Sequence, residues 1–445
     1  MSKKKSDKIS TQIKKLMDLG LWSYSIQPPD EQTLERLHSL ELDIQKRKLQ
    51  LYLPANNASH VLKQAQLQYE AKSREKRVQK LEKIRDRKAQ RTEWDEFKKG
   101  NFVHLGKSVS HWLNKREERT EKLLELGLPS LPTAKALAEF LGVSIPKLKH
   151  LCYQRSVSPI CQYIEFKIPK KSGGKRTISK PKEDLRQILN RLNQEIFDKL
   201  KFESEVMGFV KNKSHVKNAH EHRLAEVIIN VDIKDFFPSV NFYKVRSAIH
   251  ALGYSGEIST VLALLTTIQP SKRIKLNDKN MYLYKDERNL PQGSCTSPNL
   301  ANLVFSKVDI QLKKRSIDLG YKYTRYADDL TFSAVRPVKN IRQMMYMIRK
   351  TLVLHGYKAN SKKTKILGKN KSQNVTGIII NSGRPKIPRV WRRKLRAAIY
   401  QYQNSDNQEF KDTELPRLLG SVNYLRATHP KIASLYRVFL RPDKY

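Results

Sequence analysis

The sequence predicts an α+β protein in which an antiparallel sheet carries adjacent acidic residues, and three observations lead to this fold class. Residue types alternate on both sides of Asp328 and Asp329, as they do in the two arms of a β-hairpin. An apolar strand farther upstream ends in a third acidic residue, Asp232. Long helical stretches lie on either side of these strands, at about 61–97 and from about residue 390 onward.

The composition of the chain points to a polyanionic partner. Its 445 residues include 87 Lys and Arg against 43 Asp and Glu, which gives a formal net charge of +44 and a pI near 10.1. Nucleic acid is the partner that this excess favours. An acidic membrane is disfavoured, because no apolar stretch approaches the roughly twenty residues of a spanning helix.

Two further features of the sequence concern the cellular compartment. The N-terminus has no apolar segment that resembles a secretion signal, which predicts a cytoplasmic protein. Cys152, Cys161 and Cys295 are odd in number and widely separated, so neither a disulfide framework nor a CxxC metal site is expected.

Residues 1–124 are predicted to form a basic helical extension. Short helices broken at Pro28-Pro29 come first, and from Val61 to Phe97 the chain consists mainly of Lys, Arg, Glu and Gln. This composition is typical of a solvated helix stabilised by charge pairs four residues apart, and equally of a helix that lies on phosphates. The sequence alone leaves both interpretations open.

The next elements predict a hairpin that carries cations. Two helices, at 133–141 and 145–151, precede an alternating strand at 163–169, and a two-glycine turn from Lys170 to Arg176 joins it to the next strand. Glycine lets backbone amides approach a ligand and the cations supply charge, so the hairpin suits a triphosphate. An ordinary exposed hairpin of the same composition is the alternative.

Three histidines follow the hairpin and a helix at about 183–200. The spacing of His215, His220 and His222 matches neither HExxH nor a zinc finger, so structural zinc is disfavoured. The other predicted elements are the Asp232 strand, helices at 241–250 and 258–268, a hairpin near 282–284, a turn-rich segment at 290–298, helices at 299–319 and 339–355, a strand at 375–381 and helices from 390.

The acidic pair is predicted to bind a cation. Two neighbouring aspartates at a tight turn repel each other, and a multivalent cation would neutralise them. Asp232 ends an apolar strand, where a carboxylate is costly unless it is paired or binds metal. A solvated Asp-Asp turn is the alternative interpretation of Asp328 and Asp329 taken alone.

Three segments taken together resemble the palm of a reverse transcriptase. They are the strand that ends at Asp232, Leu290-Pro291-Gln292-Gly293, and Tyr326-Ala327-Asp328-Asp329. The resemblance covers about 125–445 and implies a right-hand polymerase with fingers, palm and thumb. Residues 125–385 would form the fingers and palm, and 386–445 would form a helical thumb.

The resemblance also implies the chemistry of the site. Asp232, Asp328 and Asp329 would hold two Mg²⁺ ions, which would lower the pKa of a primer hydroxyl and stabilise the departing pyrophosphate. Phe237 would exclude the 2′-hydroxyl of a ribonucleotide, and a core aromatic is the alternative role. The residues expected at the incoming deoxynucleotide (dNTP) are Lys170, Arg176, Asp235, Phe236, Phe237, Gln292, Gly293 and Lys363.

The basic extension of more than a hundred residues and the Gly106-to-Trp112 stretch resemble the long, N-terminally extended, myxobacterial type of bacterial retron reverse transcriptase. Two short elements make the resemblance to the retron enzymes specific. One is Asn218-Ala219-x-x-His222 and the other is Val375-Thr376-Gly377, and in that family both are implicated in recognising a structured noncoding RNA. The expected RNA-binding residues are therefore Asn218, Ala219, His222, Val375, Thr376 and Gly377, together with Arg392, Arg393 and Arg396 of the predicted thumb.

By this resemblance the chain would bind its own noncoding RNA, start from a guanosine 2′-hydroxyl and copy part of the RNA into branched multicopy single-stranded DNA (msDNA). It would act in anti-phage defence beside an effector protein encoded nearby. A group II intron-like or other bacterial reverse transcriptase that uses a 3′-hydroxyl primer is one alternative. A non-catalytic RNA-binding scaffold is another, disfavoured because all three acidic positions are intact.

Overall fold

The computed structural model of the chain describes residues 31–50, 58–170, 173–276, 278–285 and 287–440. The predicted helix break at Pro28-Pro29 and two residues of the two-glycine turn, 171–172, lie outside these ranges. The chain divides into two compact units, one ending at Asp95 and the other beginning at Glu96.

The described part of the first unit is helical. Helix α1 covers Glu31–Gln50 and helix α2 covers Ala58–Gly100, which matches the helix predicted for 61–97 and continues into the second unit. Most of the described side chains of α2 are exposed, including apolar ones such as Leu67 and Val78. Its charged composition therefore agrees with its solvated surroundings.

The second unit contains the remaining helices and all of the strands within the described ranges. The helices are α3 (Thr120–Glu125), α4 (Ala134–Leu141), α5 (Ile145–Cys152), α6 (Glu183–Glu195), α7 (His215–Glu221), α8 (Phe236–Ser239), α9 (Phe242–Leu252), α10 (Gly256–Thr266), α11 (Ser297–Asp318), α12 (Ile341–Leu354), α13 (Arg389–Gln403), α14 (Gln408–Arg426) and α15 (Pro430–Leu440). The strands are β1 (Val157–Ser158), β2 (Tyr163–Pro169), β3 (Lys175–Pro181), β4 (Val227–Asp232), β5 (Ser271–Leu276), β6 (Lys279–Tyr284), β7 (Lys322–Tyr326), β8 (Asp329–Ala334), β9 (Lys365–Gly368), β10 (Asn374–Val375) and β11 (Ile378–Ile379). Each helix that the structure describes is too short or too polar to cross a membrane.

The strands that carry the three aspartates belong to one antiparallel sheet, called the central sheet below. Its order is β7-β8-β4-β9, and its register sets Asp232 opposite Asp329. The apolar residues of β4 are buried, as the continuous apolar run predicts for a strand covered on both faces. Three smaller sheets have the orders β2-β3, β1-β6-β5 and β10-β11.

One predicted strand is a hairpin instead. The segment 375–381 was expected to run straight, but Thr376 and Gly377 have φ angles of 47° and 88°, which reverse the chain between β10 and β11. Asn374 Oδ1 accepts a hydrogen bond from the Gly377 amide at 2.9 Å and closes this turn. Two consecutive positive φ angles are typical of a two-residue hairpin loop.

Two hydrophobic cores support the second unit. The larger core packs the central sheet against α11 and contains α10, all of whose residues are buried. It also includes Phe102, Leu105 and Leu113, so part of the region assigned to the extension, 1–124, contributes apolar side chains to the main core. The smaller core joins α7 and the hairpin β10–β11 to the C-terminal helices α13, α14 and α15.

A buried ion pair holds β7 against α11. Arg325 donates from Nε and Nη2 to the two carboxylate oxygens of Asp309 at 2.8 and 2.7 Å, and both side chains are at most 1% exposed. Tyr323 adds a hydrogen bond to Asp309, and Arg325 Nη1 donates to Asn302 and to the carbonyl of Ala327. The guanidinium therefore connects the helix to the turn that carries the acidic pair.

Asp309→Asn is expected to lower the free energy of unfolding by about 3–5 kcal/mol, because the substitution leaves the Arg325 charge buried without its counter-ion. Urea denaturation followed by circular dichroism measures the change. The control is Asp318→Asn, the same chemical change at an exposed position of α11, which should stay within about 0.5 kcal/mol of the wild type. A loss below about 1 kcal/mol at Asp309 would contradict the proposed contribution of the ion pair.

Candidate active site

The structure brings the three predicted aspartates to one end of the central sheet. Asp232 is the last residue of β4, Asp329 is the first residue of β8, and the two are cross-strand partners. Asp328 lies in the turn between β7 and β8, and its carbonyl accepts a hydrogen bond from the Ile233 amide at 2.9 Å. The segment Tyr326–Asp329, called the acidic turn below, is thus tied to the strand that carries Asp232.

Two side chains from one segment engage the carboxylate of Asp232. Lys363 Nζ lies 2.7 Å from Oδ1, and Asn360 Nδ2 donates to Oδ2 at 3.1 Å. The Asn360 amide also donates to the backbone carbonyl of Asp232 at 2.7 Å. Lys363 is the residue that the family resemblance places near the phosphates of a nucleotide. Asn360 carries no such signal, because no sequence pattern distinguishes it from an ordinary turn residue.

The three carboxylates influence one another electrostatically. Burial raises the pKa of Asp329 to about 6, and the charges of Asp328 and Asp232 add to this rise, although the side chain remains open to solvent on one side. Burial and the charge of Asp232 also raise the pKa of Asp328, whereas Lys363 and Arg176 oppose the increase. A cation placed here would relieve the repulsion between the carboxylates.

The donor set suits a divalent cation. Carboxylate oxygens are the ligands that hard ions such as Mg²⁺ prefer. Burial, and after it the charges of the neighbouring carboxylates, raise the pKa values of Asp328 and Asp329, and a bound cation would oppose both effects. Among the described residues, no three acidic, histidine or cysteine side chains already converge as a closed metal cluster. Lys363 instead supplies the positive charge beside Asp232.

Gly208 supports the acidic turn and was missed in the sequence analysis. A Cβ atom on Gly208 would lie 2.5 Å from the amide nitrogen of Ala327, so no side chain fits at this position. The carbonyl of Gly208 accepts a hydrogen bond from Asn302 at 3.0 Å, and the Met207 amide donates to the carbonyl of Arg325 at 2.7 Å. The segment before Gly208 therefore follows β7 to the acidic turn.

Aromatic rings surround the site, and they differ in exposure. Phe237 is partly buried, and its ring centroid lies 6.4 Å from that of Phe209, which lies equally far from the ring of Tyr326. Phe236 is 3% exposed and packs against Phe305. The ring of Phe236 therefore belongs to the core, and contact of this residue with a nucleotide stays a prediction.

The expected nucleotide-binding residues lie on the basic hairpin β2–β3 and on segments next to it. Arg176 pairs with Ile168 in this hairpin, and its positive charge opposes the rise in the pKa of Asp328. The backbone carbonyl of Gln292 accepts a hydrogen bond from the Ser179 amide at 2.7 Å, and a Cβ on Gly293 would lie 2.8 Å from a side-chain atom of Ile178. Lys170, at the hairpin turn, and Asp235, after the Asp232 strand, are exposed.

The expected RNA-binding residues fall into two groups. Asn218, Ala219, His222 and Val375 are at most 1% exposed, so their side chains contact other residues of the protein, and their contact with RNA stays a prediction. The other group is accessible: Thr376 and Gly377 form the β10–β11 turn, Arg393 and Arg396 are exposed on α13, and Arg392 is partly exposed and donates to the carbonyl of Ile387. Nothing in the sequence separated the four buried residues from Thr376 and Gly377, because all six belong to the matched family elements.

Comparison with known proteins places this geometry in a family. The family model described as reverse transcriptase (RNA-dependent DNA polymerase) matches residues 168–380. The retron Mx162 reverse transcriptase of Myxococcus xanthus is 32% identical over 376 residues, which covers 80% of this chain and 77% of that protein. The retron Ec86 reverse transcriptase of Escherichia coli is 34% identical over 314 residues, which covers 70% of this chain and 89% of that protein. Among solved structures, apo telomerase from Candida tropicalis aligns with a TM-score of 0.41 at 13% identity, covering 66% of this chain and 60% of that chain.

Divalent cations are expected to raise the melting temperature of the wild-type protein by several degrees, because an ion that binds only the folded state stabilises it by about 2.7 kcal/mol at a hundred times its dissociation constant. Differential scanning fluorimetry with increasing MgCl₂ or MnCl₂ measures the shift, with NaCl at matched ionic strength as the control. The Asp328→Asn/Asp329→Asn variant should show no such shift. A variant that responds as strongly as the wild type would exclude these carboxylates as ligands.

Proposed function

This chain belongs to the retron reverse transcriptases, and from that premise we propose that it copies part of its own structured noncoding RNA into msDNA, primed from a guanosine 2′-hydroxyl. RNA-directed DNA polymerase activity follows from the family. The finer steps, namely the primer, the branched product and the biological role, are the content of the proposal.

One observation carries the proposal most directly. Asp232 and Asp329 face each other across neighbouring strands, with Asp328 beside them in the acidic turn. The charge of Arg176, on the basic hairpin, acts on Asp328, and Lys363, which follows the acidic turn in sequence, contacts Asp232. Adjacent carboxylates bordered by exposed cationic side chains suit a reaction that transfers a phosphoryl group.

The residues of the site would have three different roles in nucleotide addition. Asp232, Asp328 and Asp329 would hold two Mg²⁺ ions, which when bound supply charge that favours ionisation of the primer hydroxyl and departure of pyrophosphate. Arg176 and Lys363 would neutralise the phosphates of the dNTP. Phe237 would limit the space beneath the sugar, and its partly buried ring is held beside Phe209.

Recognition of the RNA falls to surfaces outside the acidic turn. Use of a 2′-hydroxyl requires a folded RNA that presents one guanosine to the site, since single residues near the carboxylates cannot distinguish it from others. Arg393, Lys394 and Arg396 lie with Tyr400 along an exposed groove on α13. Cations next to an aromatic ring suit both the phosphates and the unstacked bases of RNA.

The proposal also includes partners that no residue of the chain identifies. By family resemblance, the enzyme and its msDNA would act in anti-phage defence beside an effector protein encoded nearby. A phage challenge of cells that carry the complete locus, compared with cells that lack the reverse transcriptase gene, tests this part separately from the chemistry.

Asp328→Ala/Asp329→Ala is expected to reduce DNA synthesis at least about a thousandfold and to leave RNA affinity unchanged, because the variant removes metal ligands and no RNA contact. The assay follows labelled dNTP incorporation into the RNA that co-purifies with the chain, and Asp318→Ala is the control. Sequencing of the RNA–DNA junction identifies the primer. A 3′-linked junction would replace the proposal with a group II intron-like mode of priming. A double variant that still polymerises would exclude Asp328 and Asp329 as catalytic residues, and a wild-type protein that binds RNA without synthesising DNA would be a non-catalytic RNA-binding scaffold.

Phe237→Val is expected to increase incorporation of ribonucleotides relative to deoxynucleotides by roughly 10–100-fold, because removal of the ring makes room for a 2′-hydroxyl. Single-nucleotide incorporation with matched ribo- and deoxynucleoside triphosphates measures the ratio. Phe209→Val is the matched control, since it makes the same change in the neighbouring ring and should leave sugar discrimination as it is. Equal ratios for wild type and Phe237→Val would show that Phe237 serves only as a core aromatic.

A further inference from the structure

His222 lies in a buried hydrogen-bonded cluster that joins both arms of the acidic turn. Its Nε2 is 2.6 Å from Thr324 Oγ1 on β7, and its Nδ1 is 2.7 Å from Ser333 Oγ on β8. The side chain is 1% exposed and follows directly after α7. A single imidazole thus spans the two strands whose connection carries Asp328 and Asp329.

The hydrogen bonds of this cluster assign the protons of His222. The Thr324 hydroxyl donates to Asn218 Oδ1 at 2.6 Å, so its oxygen accepts from Nε2–H of His222. Nδ1 then has no proton and accepts from the Ser333 hydroxyl. Burial lowers the pKa of His222 to about 3, and the charge of Lys322 acts in the same direction, so the imidazole is neutral at physiological pH.

The cluster shares a face of the central sheet with the carboxylates. Thr324 pairs with Thr331 on β8, and Ser333 and Asp329 lie two residues to either side of Thr331. Residues two apart on a strand project from the same face and are separated by roughly 7 Å. Asp232 lies opposite Asp329, so the cluster occupies the rows of side chains directly behind the acidic residues.

The second family element reaches the same rows through β4. Thr331 Oγ1 is 3.3 Å from Asn230 Oδ1, and Asn230 Nδ2 donates to the carbonyl of Asn374 at 2.8 Å. Asn230 precedes Asp232 by two residues, and Asn374 begins the hairpin that contains Thr376 and Gly377. The segment from Asn218 to His222 and the hairpin β10–β11 are therefore both hydrogen-bonded to side chains that lie next to the carboxylates on the central sheet.

We propose that His222 is a positioning residue for DNA synthesis, which fixes β7 and β8 relative to each other so that Asp328 and Asp329 face Asp232. This inference rests on the proposed function. It assigns the buried part of the Asn218-to-His222 element to the geometry of the acidic turn. RNA contact is left to the exposed members of the same segment, such as His220, which is held by Arg223.

Four substitutions separate positioning from RNA contact. His222→Ala removes both bonds, and His222→Asn keeps an acceptor near the position of Nδ1. Ser333→Ala removes one hydroxyl with little loss of volume, so it tests the same hydrogen bond if His222→Ala does not fold. His220→Ala is the control on the exposed face of the same element. The substrate is poly(rA) primed with oligo(dT), which needs no knowledge of the natural RNA, and all assays run well below each variant's melting temperature.

Positioning predicts a loss of rate without a loss of binding. His222→Ala should lower the rate of dTTP addition at saturating substrate by about 10–100-fold and raise the MgCl₂ concentration for half-maximal rate, as removal of a supporting residue does at metal sites. The dissociation constant for primed poly(rA) should change less than about twofold, and His222→Asn should recover part of the rate. Combining His222→Ala with Ser333→Ala should cost no more than His222→Ala alone, because the two variants remove the same bond.

Other outcomes overturn the inference. An unchanged saturated rate with weaker binding of primed poly(rA) would assign His222 to nucleic-acid contact. Rates that fall only in proportion to melting temperature, with an unchanged MgCl₂ requirement, would assign it to stability. If wild-type protein fails to extend the primer, the proposed function fails first, and the MnCl₂-induced rise in melting temperature of Ser333→Ala, His222→Ala and wild type then tests positioning alone.

Discussion

The antiparallel register between β4 and β8 is the constraint on which the rest of the structure depends. Side chains on a strand alternate between faces, so a shift by one residue would send Asp232 to the opposite face from Asp329. The fold determines this register from both sides of the central sheet. On one face the Arg325–Asp309 ion pair fixes β7 to α11, and on the other the His222 cluster joins β7 to β8. Both devices are buried, and buried polar groups tolerate few arrangements because each unpaired atom is costly.

Electrostatic repulsion between the three carboxylates explains why buried interactions on both faces are needed to hold the acidic turn in place. Gathering three carboxylates at one end of a sheet is unfavourable: burial raises the pKa of Asp329, the charges of Asp328 and Asp232 raise it further, and Lys363 and Arg176 offset the effect on Asp328 only in part. These cations belong to exposed segments, which a substrate's phosphates can recruit. The net charge of +44 also favours binding of a polyanion, because it attracts nucleic acid from a distance. Repulsion inside the site and attraction outside it therefore act together in favour of a bound polyanion and its metal ions.

The sequence was sufficient for the elements whose signals are local. The α+β class, the hairpin around Asp328, the strand ending at Asp232 and the family resemblance are all confirmed, since periodicity and short motifs record them directly. Burial was not predictable in the same way. His222 and Phe236 looked like contact residues because their motifs occur in recognition and nucleotide elements, but only the tertiary packing shows that their side chains face inward. Gly208 carried no signal at all, because its role depends on a backbone atom of Ala327, more than a hundred residues away in the chain.

The position of the buried cluster has a consequence for how recognition and catalysis relate in this enzyme. The hairpin β10–β11 and helix α7 each present an exposed surface and a buried end, and the buried ends share hydrogen bonds with Asn230, Thr324 and Ser333. Under the proposed function, the exposed side contacts the RNA, and a substitution there would alter RNA binding without disturbing these bonds. A substitution on the buried side cannot, because the next row of the central sheet carries the carboxylates. The proposed RNA contact would therefore be free to vary at the exposed half of each element, while the buried half stays constrained by the geometry of the acidic turn.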